Sequence, residues 1–253
     1  GGVKGMFGDG VMFGLAVAEK QIQHLKLSAA GRPGHASTPH RDNANVTLLN
    51  ALDRVLRRER PLRANAVAAA MFRALAHTQK FPASLLMRHL DRPPVLLLAA
   101  GQLEREPLIN ALLRDTMSLT VLRAGYKVNV IPERAEAELD CRLLPDTDAA
   151  EFHRWLRGRL ADERVTVKIG ESSPPSGIAP LDGPFPRAVE RAVAAHVPGA
   201  GVFPLLMSGA TDGRYWRGRG YASYGFGPVI MTRDDIARIH GIDERISVEN
   251  LVL

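Results

Sequence analysis

Residues 127–145 read KVNVIPERAEAELDCRLLP. From Arg134 onward polar and apolar residues alternate: Ala135, Ala137, Leu139 and Cys141 fall on one side, Glu136, Glu138, Asp140 and Arg142 on the other. A period of two belongs to extended backbone, whose successive side chains point to opposite faces. One face is therefore expected to be buried and the other wet, as in an antiparallel sheet covered on a single side.

The flanking segments extend that sheet. SLTVLRAG, residues 118–125, reads as a preceding strand, and DAAEFHRWLRGRLADE, residues 148–163, as a following helix with Phe152, Trp155, Leu156 and Leu160 inward. RVTVKIG at 164–170 is a further strand. Upstream, VMFGLAVAEKQIQHLKLSAAG (11–31) reads as one or two strands ending at Gly31. NANVTLLNALDRVLRR (43–58) follows as a helix, with Val46, Leu49, Leu52, Val55 and Leu56 at helical spacing. Residues 61–110 are rich in Ala, Leu and Met and are broken at Pro82, Pro93, Pro94 and Pro107, which predicts several short helices.

Residues 21–172 thus give β, α, a helical insert, β, β, α, β, the order of a small α+β sandwich. After a linker at SSPPSG come a helix near Phe185 to His196, a strand GVFPLLMSG, a helix from about Thr211, a strand ASYGFGP and a helix capped by Ser247. Residues 173–253, with 1–20, are expected to form part of an α/β layer domain interrupted by the sandwich.

Composition narrows the functions. The formal charge of +6 comes largely from arginine, yet Arg54, Arg57 and Arg58 are interleaved with Asp53 and Glu59. No basic-aromatic motif of an RNA-binding sheet appears, so no nucleic-acid partner is expected. No apolar run approaches the roughly 20 residues needed to span a bilayer, so no membrane partner is expected either. The single cysteine, Cys141, excludes an internal disulfide and a thiolate-rich zinc site; it is compatible with a reducing compartment such as the cytoplasm and does not fix the compartment. The opening GGVKGMFGDG has no initiator methionine and reads as a cut through a longer polypeptide.

Phosphate-cradling loops, HExxH and the GxSxG nucleophile elbow are all missing. Four stretches carry candidate chemistry. In GRPGHAS, His35 stands on a stiff Pro-Gly turn and suits an oxyanion donor as well as an ordinary turn residue. Asn129 and Arg142 could supply an amide hydrogen bond and a bidentate carboxylate clamp, although each is also unremarkable in a turn or on a wet face. In LLMSGATDGRYW, Gly209 and Thr211 lie where a strand runs into a helix, which suits either capping or an anion seat. In RIHGIDERISVENL, His240 is either a structural loop histidine or a metal ligand, with Asp243 and Glu244 able to orient it.

Taken together, GRPGHASTP, GYKVNVIPERAEAELDCRLLP, SGATDGRYW, YGFGP and RIHGIDERI resemble, in order, the M20 family of zinc aminoacylases and carboxypeptidases, most closely its Gly-X carboxypeptidase and N-acyl-amino-acid hydrolase branch. The resemblance implies a zinc-exopeptidase-like α/β catalytic domain with an inserted α+β lid through which the protein forms a homodimer. It implies His240 as a zinc ligand, in a site of one or two ions. His35 would polarise the scissile carbonyl, often in the partner subunit, with Asn129, Arg142, Gly209 and Thr211 on the substrate. The substrate would be a peptide or N-acyl amino acid.

The family's other metal ligands and its general-base glutamate precede the lid, and no segment here could contain them. The expectation is therefore a lid and C-terminal catalytic portion that is inactive alone. A noncatalytic dimerisation module is the alternative, and an anion-binding or nucleic-acid protein, supported by charge only, is a second.

Overall fold

The structure, a computed structural model, describes residues 1–5 and 10–251. In chain order the strands are β1 (Gly2–Lys4), β2 (Val11–Glu19), β3 (Gln21–Ala30), β4 (Gly34–His35), β5 (Thr116–Ala124), β6 (Val130–Ile131), β7 (Arg134–Leu143), β8 (Val165–Ser172), β9 (Gly201–Met207) and β10 (Ile230–Met231). The helices are α1 (Ala44–Leu56), α2 (Ala66–Leu75), α3 (Ala83–Arg88), α4 (Pro93–Leu103), α5 (Pro107–Leu113), α6 (Ala149–Leu160), α7 (Pro184–His196), α8 (Gly213–Gly218) and α9 (Arg233–Ala237). They divide into two compact units, Gly1–Lys20 with Leu62–Leu113 and Ser176–Leu253, and Gln21–Pro61 with Arg114–Pro175.

The second unit is the predicted α+β sandwich. Its antiparallel sheet runs β5-β7-β3-β8. The alternation of β7 is realised: Ala135, Ala137, Leu139, Cys141 and Leu143 are buried while the intervening residues are half-buried. Leu25, Leu27 and Ala29 of β3 join them, and α1 and α6 close the core with Leu48, Leu52, Val55, Phe152, Leu156 and Leu160. Trp155 packs partly buried at the margin, with the Arg60 guanidinium 5.1 Å above its ring.

In α1 the buried face matches the predicted one at Leu52 and Val55 and departs from it elsewhere. Ala44, Thr47, Leu48, Ala51, Leu52 and Val55 face inward, whereas Val46 and Leu49 are 50% and 54% exposed and Leu56 is also exposed. The two stripes are alternatives on one helix, and the stripe carrying Ala44 and Ala51 lets the helix approach the sheet closely.

The first unit contains the mixed sheet β10-β1-β2-β9, in which β2 lies parallel to β9 and antiparallel to β1. Met12, Phe13, Leu15, Ala16, Val17 and Ala18 are all buried, the continuous apolar run of a strand covered on both faces. Residues 62–113 group with this unit rather than with the sandwich, where their sequence position had placed them. The cause is the face of α2: Val67, Ala68, Met71, Phe72 and Leu75 are buried, and the helix packs on β9.

Two further expectations are corrected. ASYGFGP is not a strand but a single bridge, Gly225 to Ala16, because its glycines give little side-chain surface to hold a ladder. Ser247 does accept from the amide of Asn250 at 3.3 Å, but it opens only a 3-10 turn over Glu249–Leu251; residues 252 and 253 lie outside the described residues.

Candidate functional site

His35 and Asn129 are brought together by local backbone pairing. β4 and β6 form a two-stranded ribbon with His35 opposite Val130, and the Ala36 amide donates to the Asn129 carbonyl at 3.0 Å. Gly31 lets the chain leaving β3 pass close to the start of α1, since a Cβ there would lie 2.6 Å from the Ala44 amide nitrogen. His35 is exposed, and its Nδ1 accepts the Ser37 backbone N–H at 3.2 Å, with the Ser37 hydroxyl 2.7 Å away. A backbone N–H can only donate, so the neutral ring carries its proton on Nε2, and that outward N–H is a hydrogen-bond donor.

Arg142 sits elsewhere on the same unit. It is half-buried on the open face of β7, and its Nε and Nη2 bond Asp140 Oδ1 and Oδ2 at 2.8 and 3.0 Å. In register it lies opposite Ile22, at the start of β3, whereas the strand end leading to His35 is Ala30, opposite Arg134. Eight residue steps of strand separate those register positions, about 27 Å at the usual rise. Asn129 and Arg142, paired in the sequence reading, therefore lie apart within this unit, Asn129 beside His35 and Arg142 toward the other end of the sheet.

In the first unit the loop between β9 and α8 carries Gly209 and Thr211. A Cβ on Gly209 would meet nothing within 4 Å, so packing does not demand glycine there. Thr211 is not an open anion seat. Its amide and hydroxyl donate to Glu19 Oε2 and Oε1, each at 2.5 Å, and the Thr211 hydroxyl oxygen accepts the Gly213 amide at 3.1 Å. Arg217 completes the cluster, with Nη2 donating to Glu19 Oε1 at 2.6 Å and Nη1 to the Ser223 carbonyl at 2.9 Å. The anion at this helix entry is a carboxylate of the chain itself. Neither Glu19 nor Arg217 was singled out from the sequence; a glutamate ending an otherwise apolar strand was the one available signal for Glu19.

His240 occupies an exposed loop in left-handed backbone, φ 58°, as does Asp243 at φ 62°. Asp243 serves Arg238 at 2.8 Å and Arg245 at 3.3 Å, so its hydrogen bonds go to the loop's arginines. Among the described residues no group of three or more His, Cys, Asp or Glu side chains is arranged to hold a metal ion. A hydrolytic zinc site takes about three protein ligands and an open water position, so the described residues do not by themselves fit one. No helix among the described residues is long and apolar enough to cross a membrane.

The family model of a peptidase dimerisation domain matches residues 17–167. The N-fatty-acyl-amino acid synthase/hydrolase PM20D1 of Xenopus tropicalis is 31% identical over 255 residues, covering 97% of this chain and 49% of that protein. PM20D1 of Mus musculus is 30% identical over 241 residues, covering 93% and 47%. An M20 family metallo-carboxypeptidase from Sulfolobus solfataricus has the same fold, with a TM-score of 0.59 at 14% identity over 96% of this chain and 59% of its own. The chain spans about half the length of the curated relatives it matches. With a dimerisation-domain match over more than half its residues and 31% identity to a relative across 97% of its length, this chain belongs to the M20 family of peptidases.

Proposed function

We propose that the complete protein hydrolyses an amide bond next to a free carboxylate, in an N-acyl amino acid or a peptide, and that it works as a homodimer. Similarity to N-fatty-acyl-amino acid synthase/hydrolases over nearly the whole chain supports the substrate class. In this reading His240 is one ligand of a zinc centre whose other ligands lie outside the described residues. Arg142 holds the substrate carboxylate through its guanidinium fork, and Nε2–H of His35 stabilises the oxyanion formed from the amide carbonyl. Asn129 assists beside His35. The Gly209 stretch borders the substrate, with Thr211 fixing that loop onto Glu19.

The observation that carries the dimer is the separation of His35, on the β4-β6 ribbon beyond the Ala30 end of β3, from Arg142, opposite Ile22 at the other end of the four-stranded sheet. A scissile carbonyl and the neighbouring carboxylate are only a few bonds apart, so one sandwich cannot present both groups to one substrate. Two copies can. The apolar edge supports the same reading: β5 is an edge strand with Leu119 and Leu122 exposed, and α1 beside it exposes Val46 and Leu49. The opposite edge, β8, carries Lys168 and Glu171, charges that guard against strand pairing.

Complementation tests this reading. His35→Ala and Arg142→Ala variants of the complete zinc-loaded protein should each lose about 100-fold in activity on an N-acyl amino acid. Mixed and re-associated one to one, they should regain about a quarter of wild-type activity, because half the dimers are hybrids with one intact site. No recovery in demonstrated hybrid dimers would overturn the shared site.

A noncatalytic dimerisation module remains the second reading, favoured by the absence of a metal cluster among the described residues. It predicts no hydrolysis by the complete protein with zinc.

A further inference from the structure

The open face of the sandwich places Asp140 and Arg142 two residues apart on β7, so both side chains project from the same side. Asp140 engages Arg142 through the Nε and Nη2 edge of the guanidinium. A guanidinium has five N–H donors in one plane, and this contact uses two. The terminal edge, Nη1 with the remaining Nη2 hydrogen, stays available for a second carboxylate in the same plane. Across the ladder His24 lies opposite Asp140, with Nε2 3.6 Å from Asp140 Oδ1 and Nδ1 3.7 Å from Glu171 Oε2. Asp140 is thus flanked by Arg142 on its own strand and by His24 on the next.

We propose that Asp140 is a positioning residue for Arg142: it fixes the guanidinium by its inner edge so that the outer edge meets the carboxylate of the substrate. The proposal rests on the carboxylate-clamp reading of Arg142. Arginine side chains lose substantial rotamer freedom when they are ordered, and a bracket already made in the free protein removes that loss from the binding step. The competing reading is an internal rival, in which the Asp140 charge repels or replaces the substrate carboxylate. The two readings differ in sign, because removing a rival tightens binding and removing a bracket loosens it.

The test compares an N-acyl amino acid with its carboxamide in the complete zinc-loaded protein, for wild type, Asp140→Asn, Asp140→Glu and Arg142→Ala. Wild type should prefer the acid by about 100-fold in kcat/KM, and Arg142→Ala should abolish the preference. Asp140→Asn should raise KM for the acid about 10-fold, change kcat by less than about threefold and leave KM for the carboxamide unmoved. Asp140→Glu, which keeps the charge, should fall between. Independently of activity, exchange of the Arg142 Nε proton, followed by nitrogen-15 NMR on this chain, should be slow in wild type and at least about fivefold faster in Asp140→Asn.

A lower KM in Asp140→Asn would establish the rival and overturn the proposal. So would an unchanged KM where Arg142→Ala still loses the acid preference. An Arg142→Ala variant that keeps the acid preference would instead overturn the clamp reading itself, and the proposal with it.

Discussion

Glu19 and Arg217, 198 residues apart in sequence, meet at 2.6 Å with both side chains almost wholly buried. The carboxylate also takes the Thr211 amide and hydroxyl, so it ends β2 and anchors the β9–α8 loop at one point. A buried pair is costly to halve, because the surviving charge keeps its desolvation cost without its partner. Glu19→Ala should therefore destabilise the first unit by about 3–5 kcal/mol in urea unfolding. Glu19→Met combined with Arg217→Met should cost less than the two single changes summed. Additive costs would mean that the pair does not act as a unit.

The apolar edge makes a second prediction. Leu122→Lys adds a charge to the exposed middle of β5, an edge strand. Charged residues on edges are a standard barrier to strand pairing. Sedimentation at micromolar concentration should shift from dimer to monomer, with the thermal unfolding of the sandwich changed by only a few degrees. Lys168→Leu on β8 should leave the association unchanged. A Leu122→Lys variant that remains fully dimeric would move the interface elsewhere.

Asp162 gives a pH prediction. Its carboxylate accepts the Arg164 amide at 3.1 Å and the guanidinium at 2.9 and 2.8 Å, tying the turn between α6 and β8. The Arg164 hydrogen bonds bring its pKa down from 3.8 to about 2. A carboxylate with a depressed folded-state pKa contributes stability that is fully present above its unfolded value and is lost as pH falls through its folded value. The contribution should therefore disappear between about pH 4 and pH 2, and Asp162→Asn should flatten the acid limb of the stability profile in that window. Equal slopes in both proteins would show that the turn is not linked to this proton.

Cys141 belongs to the buried face of β7, and burial, followed by the neighbouring Asp140 charge, pushes its thiol up to about 12. The thiolate is the reactive form, so alkylation by iodoacetamide at pH 8 should be slow in the folded chain and should accelerate by orders of magnitude in denaturant. Labelling at the rate of a free thiol under native conditions would indicate local opening of the sheet.

The sequence by itself determined the periodic features. The alternation of residues 134–143 and the spacing of Phe152, Leu156 and Leu160 identify a strand and a helix face, because side-chain direction follows from local backbone geometry alone. Asp140 and Arg142 on one face of that strand were legible for the same reason, whereas His35, read as a turn residue, pairs with Val130 in the short strand β4. Only the tertiary structure decided which stripe of α1 is buried. Val46 and Leu49 are as apolar as Leu48 and Ala51, and only the neighbouring sheet selects between them. It also decided that α2 packs on β9 and residues 62–113 group with the first unit, that Glu19 faces Arg217, and that the β4-β6 ribbon carrying His35 lies beyond the end of the sheet remote from Arg142. Periodicity is a property of a few neighbouring residues. Pairing between distant segments is set by the competition of all their faces for cover, and no short stretch of sequence contains that.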